Sequence, residues 1–174
     1  LLKNDFGIQT AKRNELTPRI HQSFVSEMIS FYENDKAVKA KEHAEETFRR
    51  LKEKGIKVAI DTGFSRPIAD AIIKRLRWNE HGLIDISVTS DEVKQGRPHP
   101  DLIFEAMKRG GIKHARSVAK VGDTISDLQE GNAAGCSYVI GITTGAYTRN
   151  ELAREKHTHL ISSLLEVVDI VTRT

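Results

Sequence analysis

The sequence predicts an α/β protein, a parallel sheet with helices on both faces. Two observations carry this. Short continuous apolar runs, "KVAIDTG", "IDISVTS", "SVAKVGD" and "SYVIGIT", alternate with stretches of helical periodicity. Each run ends in a turn containing glycine, threonine or aspartate. Runs that are apolar throughout suit strands buried on both faces, and strands alternating with helices build βαβ units.

In chain order, Leu16, Ile20, Phe24, Met28 and Phe31 recur at the spacing of one helix face. They predict a helix from about residue 16 to residue 32, which "ENDK" interrupts. A second helix is predicted over about 38–54, closed by Gly55. "KVAIDTG" is the first strand. "SRPIADAIIKRLRW" follows as a helix, with Ser65 as N-cap and Pro67 in the first turn. "IDISVTS" is a strand. "HPDLIFEAMKRGG" is a helix with Leu102, Ile103, Ala106 and Met107 apolar, ending at Gly110. "SVAKVGD", "ISDLQEGNAAG" and "SYVIGIT" read as strand, helix and strand. "LISSLLEVVDIV" reads as one closing helix, with Ile161, Leu164, Leu165, Val168 and Val171 on one side.

A chain of 174 residues fits one domain, or a core domain plus a fragment of a second. The net charge of +3 is dispersed and gives no patch for nucleic acid or a membrane surface. No apolar run approaches the roughly 20 residues that span a bilayer. Cys136 is the single cysteine, so an intrachain disulfide and a cysteine metal cluster are excluded. Beside a helix-ending glycine it reads as a small buried residue. A cytoplasmic, reducing setting is the expectation.

In parallel sheets of this kind, ligands bind beyond the carboxyl ends of the strands. Those ends carry "DTGFSR", "TSDEVKQGRPHPD", "GDTISD" and "GITTGAYT". Hydroxyl, cation, paired carboxylates and glycines therefore gather on one rim, a mixture suited to a phosphoryl group and a divalent cation. Thr62 can donate to a phosphate oxygen beside the N–H of Gly63, or it can bond local backbone. Arg97 sits between Gly96 and Pro98, with Pro100 beyond, so its backbone is restricted and its guanidinium can grip phosphate oxygens. Lys94 competes for that role from a freer loop. Thr124 and Asp127 fit a capping box, T-x-x-D. Capping leaves Asp123 unexplained, and an aspartate at a strand end can ligate a cation. Asp61 reads as a turn cap, and His99, His114, His157 and His159 as surface or loop residues.

Together these stretches resemble the haloacid dehalogenase-like hydrolase superfamily, from Lys57 onward, and within it the phosphonatase-like branch. "DTGFSR" resembles that family's second motif, "GRPHPD" its third, with Arg97 where many relatives carry lysine, and "VAKVGDTISDLQEGNAAG" its fourth. The resemblance implies a Rossmann-like core and Mg2+-dependent hydrolysis through an aspartyl-phosphate. The substrate it implies is a small phosphorylated or phosphonate metabolite. Thr62 and Gly63 would hold phosphoryl oxygens, Arg97 would steady the phosphate, Asp123 would ligate Mg2+ and Asp127 would support that site. The family's first motif is not found. "NDFGIQT", with Asp5, is a superficial candidate, and the sequence therefore reads as truncated or incompletely recorded. Residues 1–36 read as the remnant of a helical cap and residues 37–174 as a core lacking its first strand. A Schiff-base lysine, which phosphonoacetaldehyde hydrolysis needs, has candidates in Lys3, Lys12, Lys36, Lys39 and Lys41. The N-terminal helix could pack against a second copy as a homodimer. Two other readings stand beside the enzyme: a catalytically incomplete phosphate- and cation-binding module, and a receiver-like signalling domain.

Overall fold

The computed structural model describes residues 10–173. Helix α1 (Thr10–Asn34) lies against α3 (Arg66–Arg75) and leaves Ile20, Phe24 and Phe31 exposed. It is longer than its apolar spacing predicts. It ends where the Asp35 carboxylate accepts the Ala37 N–H at 2.7 Å, a local bond that competes with a further helical turn. Helix α2 (Ala44–Glu53) begins later than the predicted residue 38. His43 takes a left-handed conformation with φ of 63°, which a continuous helix cannot contain. Residues 38–43 therefore form an irregular link rather than helix.

Strands β1 (Ala59–Thr62), β2 (Ile86–Thr89), β3 (Ala119–Gly122) and β4 (Tyr138–Ile142) fall on the four apolar runs. Helices α4 (Asp101–Gly110) and α5 (Ile125–Ala134) fall on the periodic stretches. Ser65 holds the N-cap position of α3, but its hydroxyl makes no capping bond and is buried without a partner. A short helix, α6 (Arg149–Leu152), follows β4.

The closing segment is not one helix. It divides into β5 (His159–Ile161) and α7 (Glu166–Thr172). Residues 159–161 pair in parallel with β4, Ile140 opposite His159 and Ile142 opposite Ile161. The N–H groups of Ser162 and Ser163 then bond Glu166 Oε1, each at 3.0 Å, which turns the chain before α7. Pairing with a neighbouring strand has overridden the helical spacing of the apolar residues. His159 is accordingly a half-buried strand residue.

Among the described residues all strand pairing is parallel, as the sequence predicts. The strands form two groups, β1–β2 and β3–β4–β5. Among the described residues no strand hydrogen bonding joins β1 to β3. An apolar core joins the groups instead: Val58, Ile73 and Ile84 pack in one cluster with Ile140, Ile142, Ile161 and Val168. Burying each such side chain is worth about 2 kcal/mol. No helix among the described residues is long and apolar enough to cross a membrane.

Candidate active site

The site begins where β1 ends. Thr62 Oγ1 accepts the Phe64 N–H at 3.1 Å, so the hydroxyl stabilises the turn it sits in. Gly63 is exposed beside Arg97: a β-carbon there would lie 3.3 Å from Arg97 Nη2. Arg97 comes from the loop between β2 and α4, and that loop is anchored at its start. Glu92 meets Arg66 at 2.5 Å and Arg109 at 3.2 Å. Partial burial opposes ionisation of Glu92, but Arg66, the Thr89 N–H and Arg109 hold its carboxyl down at about 2. Lys94, further along the loop, is exposed.

The guanidinium of Arg97 reaches across to α5, with Nη1 2.5 Å from Asp127 Oδ1. Asp127 also completes the expected capping box. Its Oδ2 accepts the Thr124 N–H at 3.1 Å and the Thr124 hydroxyl at 2.6 Å, while Thr124 Oγ1 accepts the Asp127 N–H at 3.2 Å. Burial alone would raise the Asp127 pKa. Lys120, Thr124 and Arg97 outweigh it, and the net shift is downward. Burial likewise disfavours the charged Arg97, yet Asp127, Asp61 and Glu130 raise its pKa overall. Gly122 makes room for this arrangement, since a β-carbon there would fall 2.2 Å from Asp127 Cγ.

Asp123 faces other partners. Its Oδ2 accepts the Ala146 N–H at 2.9 Å, and its backbone oxygen accepts the Tyr147 N–H at 3.2 Å. A β-carbon on Gly145 would lie 2.0 Å from that Oδ2, so the "GITTGAYT" loop closes tightly on the carboxylate. The structure thus pairs Arg97 with Asp127 and brings the Arg97 guanidinium beside Gly63. Asp123 stands at the end of β3, with its side chain turned to the loop after β4.

Three residues of this site escaped the sequence reading. Asp61 does not cap its turn: both carboxylate oxygens accept from Lys120 Nζ, at 2.6 and 2.7 Å. Lys120 is buried and also lies 3.3 Å from Asp127 Oδ1 and 2.6 Å from Glu130 Oε2. Burial penalises its charge, but Asp61, Glu130 and Asp127 raise its pKa. Glu130 is fully buried. Its contact with Lys120 is an ion pair without aligned hydrogen-bond geometry, and Oε1 has no partner. Asp61, Asp127 and Glu130 each present an oxygen within 4.8 Å of the others. A signal existed: a lysine inside an apolar strand needs buried carboxylates, and Glu130 shares a helix face with Asp127.

The remaining candidates lie apart. Lys41 donates to the Thr144 carbonyl at 2.7 Å, strapping the 35–43 link to the loop that holds Asp123. Lys36 and Lys39 are exposed. Lys3 and Asp5 lie outside the described residues. Cys136 is half-buried, and burial pushes its thiol up to about 11.

The sequence profile of haloacid dehalogenase-like hydrolases matches residues 4–142. The chain belongs to that family. It is 29% identical over 126 residues to a phosphonoacetaldehyde hydrolase of Bacillus thuringiensis, covering 72% of this chain and 47% of that protein. The chain therefore spans about half the length of that relative. A phosphonoacetaldehyde hydrolase-like protein from Oleispira antarctica shares the fold, with a TM-score of 0.75 over 91% of this chain and 66% of its own, at 22% identity. CbbY from Rhodobacter sphaeroides, solved in complex with phosphate, shares it with a TM-score of 0.69 over 86% of this chain and 65% of its own, also at 22% identity.

Proposed function

We propose that the protein is a Mg2+-dependent phosphohydrolase that works through an aspartyl-phosphate on a small phosphorylated or phosphonate metabolite. The observation that carries this reading is the junction of Gly63, Arg97 and Asp127 on one rim. Thr62 and the Gly63 N–H hold phosphoryl oxygens, and Arg97 supplies a fixed guanidinium beside them. An attacking carboxylate forms an acyl-phosphate as the leaving group departs, and water then releases inorganic phosphate. That carboxylate belongs to the family's first motif. Phosphoryl transfer asks mainly for positioning and charge neutralisation, which these residues offer. The phosphonoacetaldehyde hydrolase relative supports the phosphonate class, and the phosphate bound in the CbbY structure supports a phosphoryl site.

The donors suit Mg2+, which prefers carboxylate oxygens. Asp123 has one carboxylate oxygen on the Ala146 N–H, and among the described residues the other has no hydrogen-bond partner. Asp123 and Asp127 would hold the ion, with Asp127 also steadying Arg97. When bound, Mg2+ would neutralise phosphoryl charge. The same reading takes residues 1–36 as the remnant of a cap, residues 37–174 as the core, and the exposed side of α1 as the contact face of a homodimer.

The test is phosphate release by the purified protein from phosphonoacetaldehyde and from simple phosphomonoesters, with Mg2+ and after chelation. Mg2+-dependent release from one class supports the reading and names the substrate class. Binding of inorganic phosphate without release from any substrate favours the incomplete binding module. Neither binding nor release overturns both.

A further inference from the structure

We propose that Asp91 is a positioning residue: it caps helix α3 from the neighbouring loop and thereby holds the Thr62–Gly63 turn against the loop that carries Arg97. The proposal rests on the phosphohydrolase reading above, which gives those two loops their task.

Helix α3 does not cap itself. An N-cap side chain serves the N–H of the second or third helical residue. The second residue of α3 is Pro67, which has no N–H, and the N–H of the third, Ile68, bonds the Ser65 carbonyl at 3.1 Å. The Ser65 hydroxyl is accordingly left without a partner. There remains the N–H of Arg66, the first helical residue, and Asp91 Oδ1 accepts it at 2.9 Å. A carboxylate at this end also suits the positive pole of the helix. The same oxygen accepts the Thr89 hydroxyl at 2.7 Å, and Thr89 is fully buried at the end of β2. The Thr89 hydroxyl lowers the Asp91 pKa, slight burial opposes it, and the Asp91 and Arg66 N–H groups add to the lowering.

This cap joins two loops that are neighbours by strand pairing. Strands β1 and β2 run in register to their last residues, Thr62 opposite Thr89. Beyond that point the Ser90 N–H and hydroxyl bond the Phe64 carbonyl at 3.1 and 3.2 Å, while the Phe64 N–H bonds Thr62 Oγ1. Asp91 makes the next tie and grips the main chain of the helix that continues the turn. Further along, Asp101 Oδ2 accepts the Gln95 N–H at 3.2 Å and holds the loop to the first turn of α4. Arg97 follows, with its Nη2 3.3 Å from the place of a β-carbon on Gly63. Asp91 itself is exposed, so its replacement removes no core packing. Its influence on Arg97 passes through the main chain of the loop.

The experiment measures the melting temperature, the affinity of inorganic phosphate in the presence of Mg2+ well below that temperature, and the Arg97 side-chain 15N resonance without ligand. Losing a cap lowers the melting temperature of a chain of this length by about 2–4 °C, and Asp91→Ala should show that loss. It should also bind phosphate about tenfold more weakly, the scale on which supporting shells act, and its Arg97 resonance should broaden. Capping alone would move the melting temperature and neither of the other two. Asp91→Asn keeps an oxygen for both bonds and is an equally good cap, so it should bind phosphate as the wild type does. Ser65→Ala removes a hydroxyl that caps nothing and should cost neither stability nor affinity. Wild-type affinity and an unaltered Arg97 resonance in Asp91→Ala would overturn the positioning role alone. A loss in Asp91→Asn equal to that in Asp91→Ala would assign the effect to charge and overturn it as well. Weakened binding in Ser65→Ala would return the cap to Ser65, with the same consequence. Failure of the wild-type protein to bind phosphate would instead sink the reading of the site, and this proposal with it.

Discussion

Arg97 Nη1 lies 2.5 Å from Asp127 Oδ1, so the loop between β2 and α4 is pinned to the first turn of α5. The pair joins the proposed phosphate grip to a candidate metal ligand. Arg97→Met should therefore cost twice. It removes a charged hydrogen bond from a nearly buried carboxylate, worth about 2 kcal/mol, and it should weaken phosphate binding about tenfold. Arg97→Lys keeps the charge without the planar fork and should fall between. Calorimetric titration with phosphate and unfolding in denaturant measure the two effects. Wild-type phosphate affinity in Arg97→Met would remove the guanidinium from the grip.

Asp123 is expected to matter for turnover and not for folding. The Ala146 N–H that it accepts can be accepted equally by an amide oxygen. Asp123→Asn should keep the melting temperature and abolish Mg2+-dependent phosphate release. Undiminished release in that variant takes Asp123 out of the mechanism.

Two glycines make opposite predictions about stability. Gly145 lies in an exposed loop, and its β-carbon would fall 2.0 Å from Asp123 Oδ2. The loop can yield, so Gly145→Ala should fold normally but need more Mg2+ for half-maximal activity. Gly122 ends a strand, and its β-carbon would fall 2.2 Å from Asp127 Cγ. Strand, cap and ion pair all hold that carboxylate, so Gly122→Ala should destabilise by about 1–3 kcal/mol. A Mg2+ titration of activity and a thermal melt distinguish the pair. Equal behaviour of the two variants would contradict the geometry.

Strands β1 to β4 were legible because each is a continuous apolar run, a pattern that local sequence carries by itself. β5 was not, because three residues beside β4 hold no period of their own. The start of α2 was missed because His43 adopts a left-handed conformation that its residue type does not advertise. In the site, Asp127 could be seen in advance because a capping box is local. The ammonium–carboxylate cluster could not: Lys120 and Asp61 are 59 residues apart and meet only once the two strand groups have packed. A lysine in an apolar strand announced that some acid must be near it, but not which.

That same cluster sets a pH dependence. Burial lifts the Glu130 pKa from 4.5 to about 7, a rise that the nearby Lys120 tempers and Asp61 reinforces. Between those two pH values the folded protein keeps a proton that the unfolded chain releases. Stability tied to this group therefore falls as pH rises from about 4.5 to about 7. Asp127 has the opposite sign. Its folded pKa is lowered, so its contribution is present at neutral pH and is lost as the solution is made acid below the usual aspartate range. The two effects occupy different windows and can be separated. Glu130→Gln should remove the decline between about pH 4.5 and 7 and leave the acid limb in place. The variant should also melt higher than wild type at pH 8, where the wild-type protein must hold a charged Glu130 in its interior. Melting temperatures of both proteins from pH 3 to pH 8 measure the difference curve. A difference that stays flat across the upper window would show that Glu130 is charged throughout, fully compensated by Lys120.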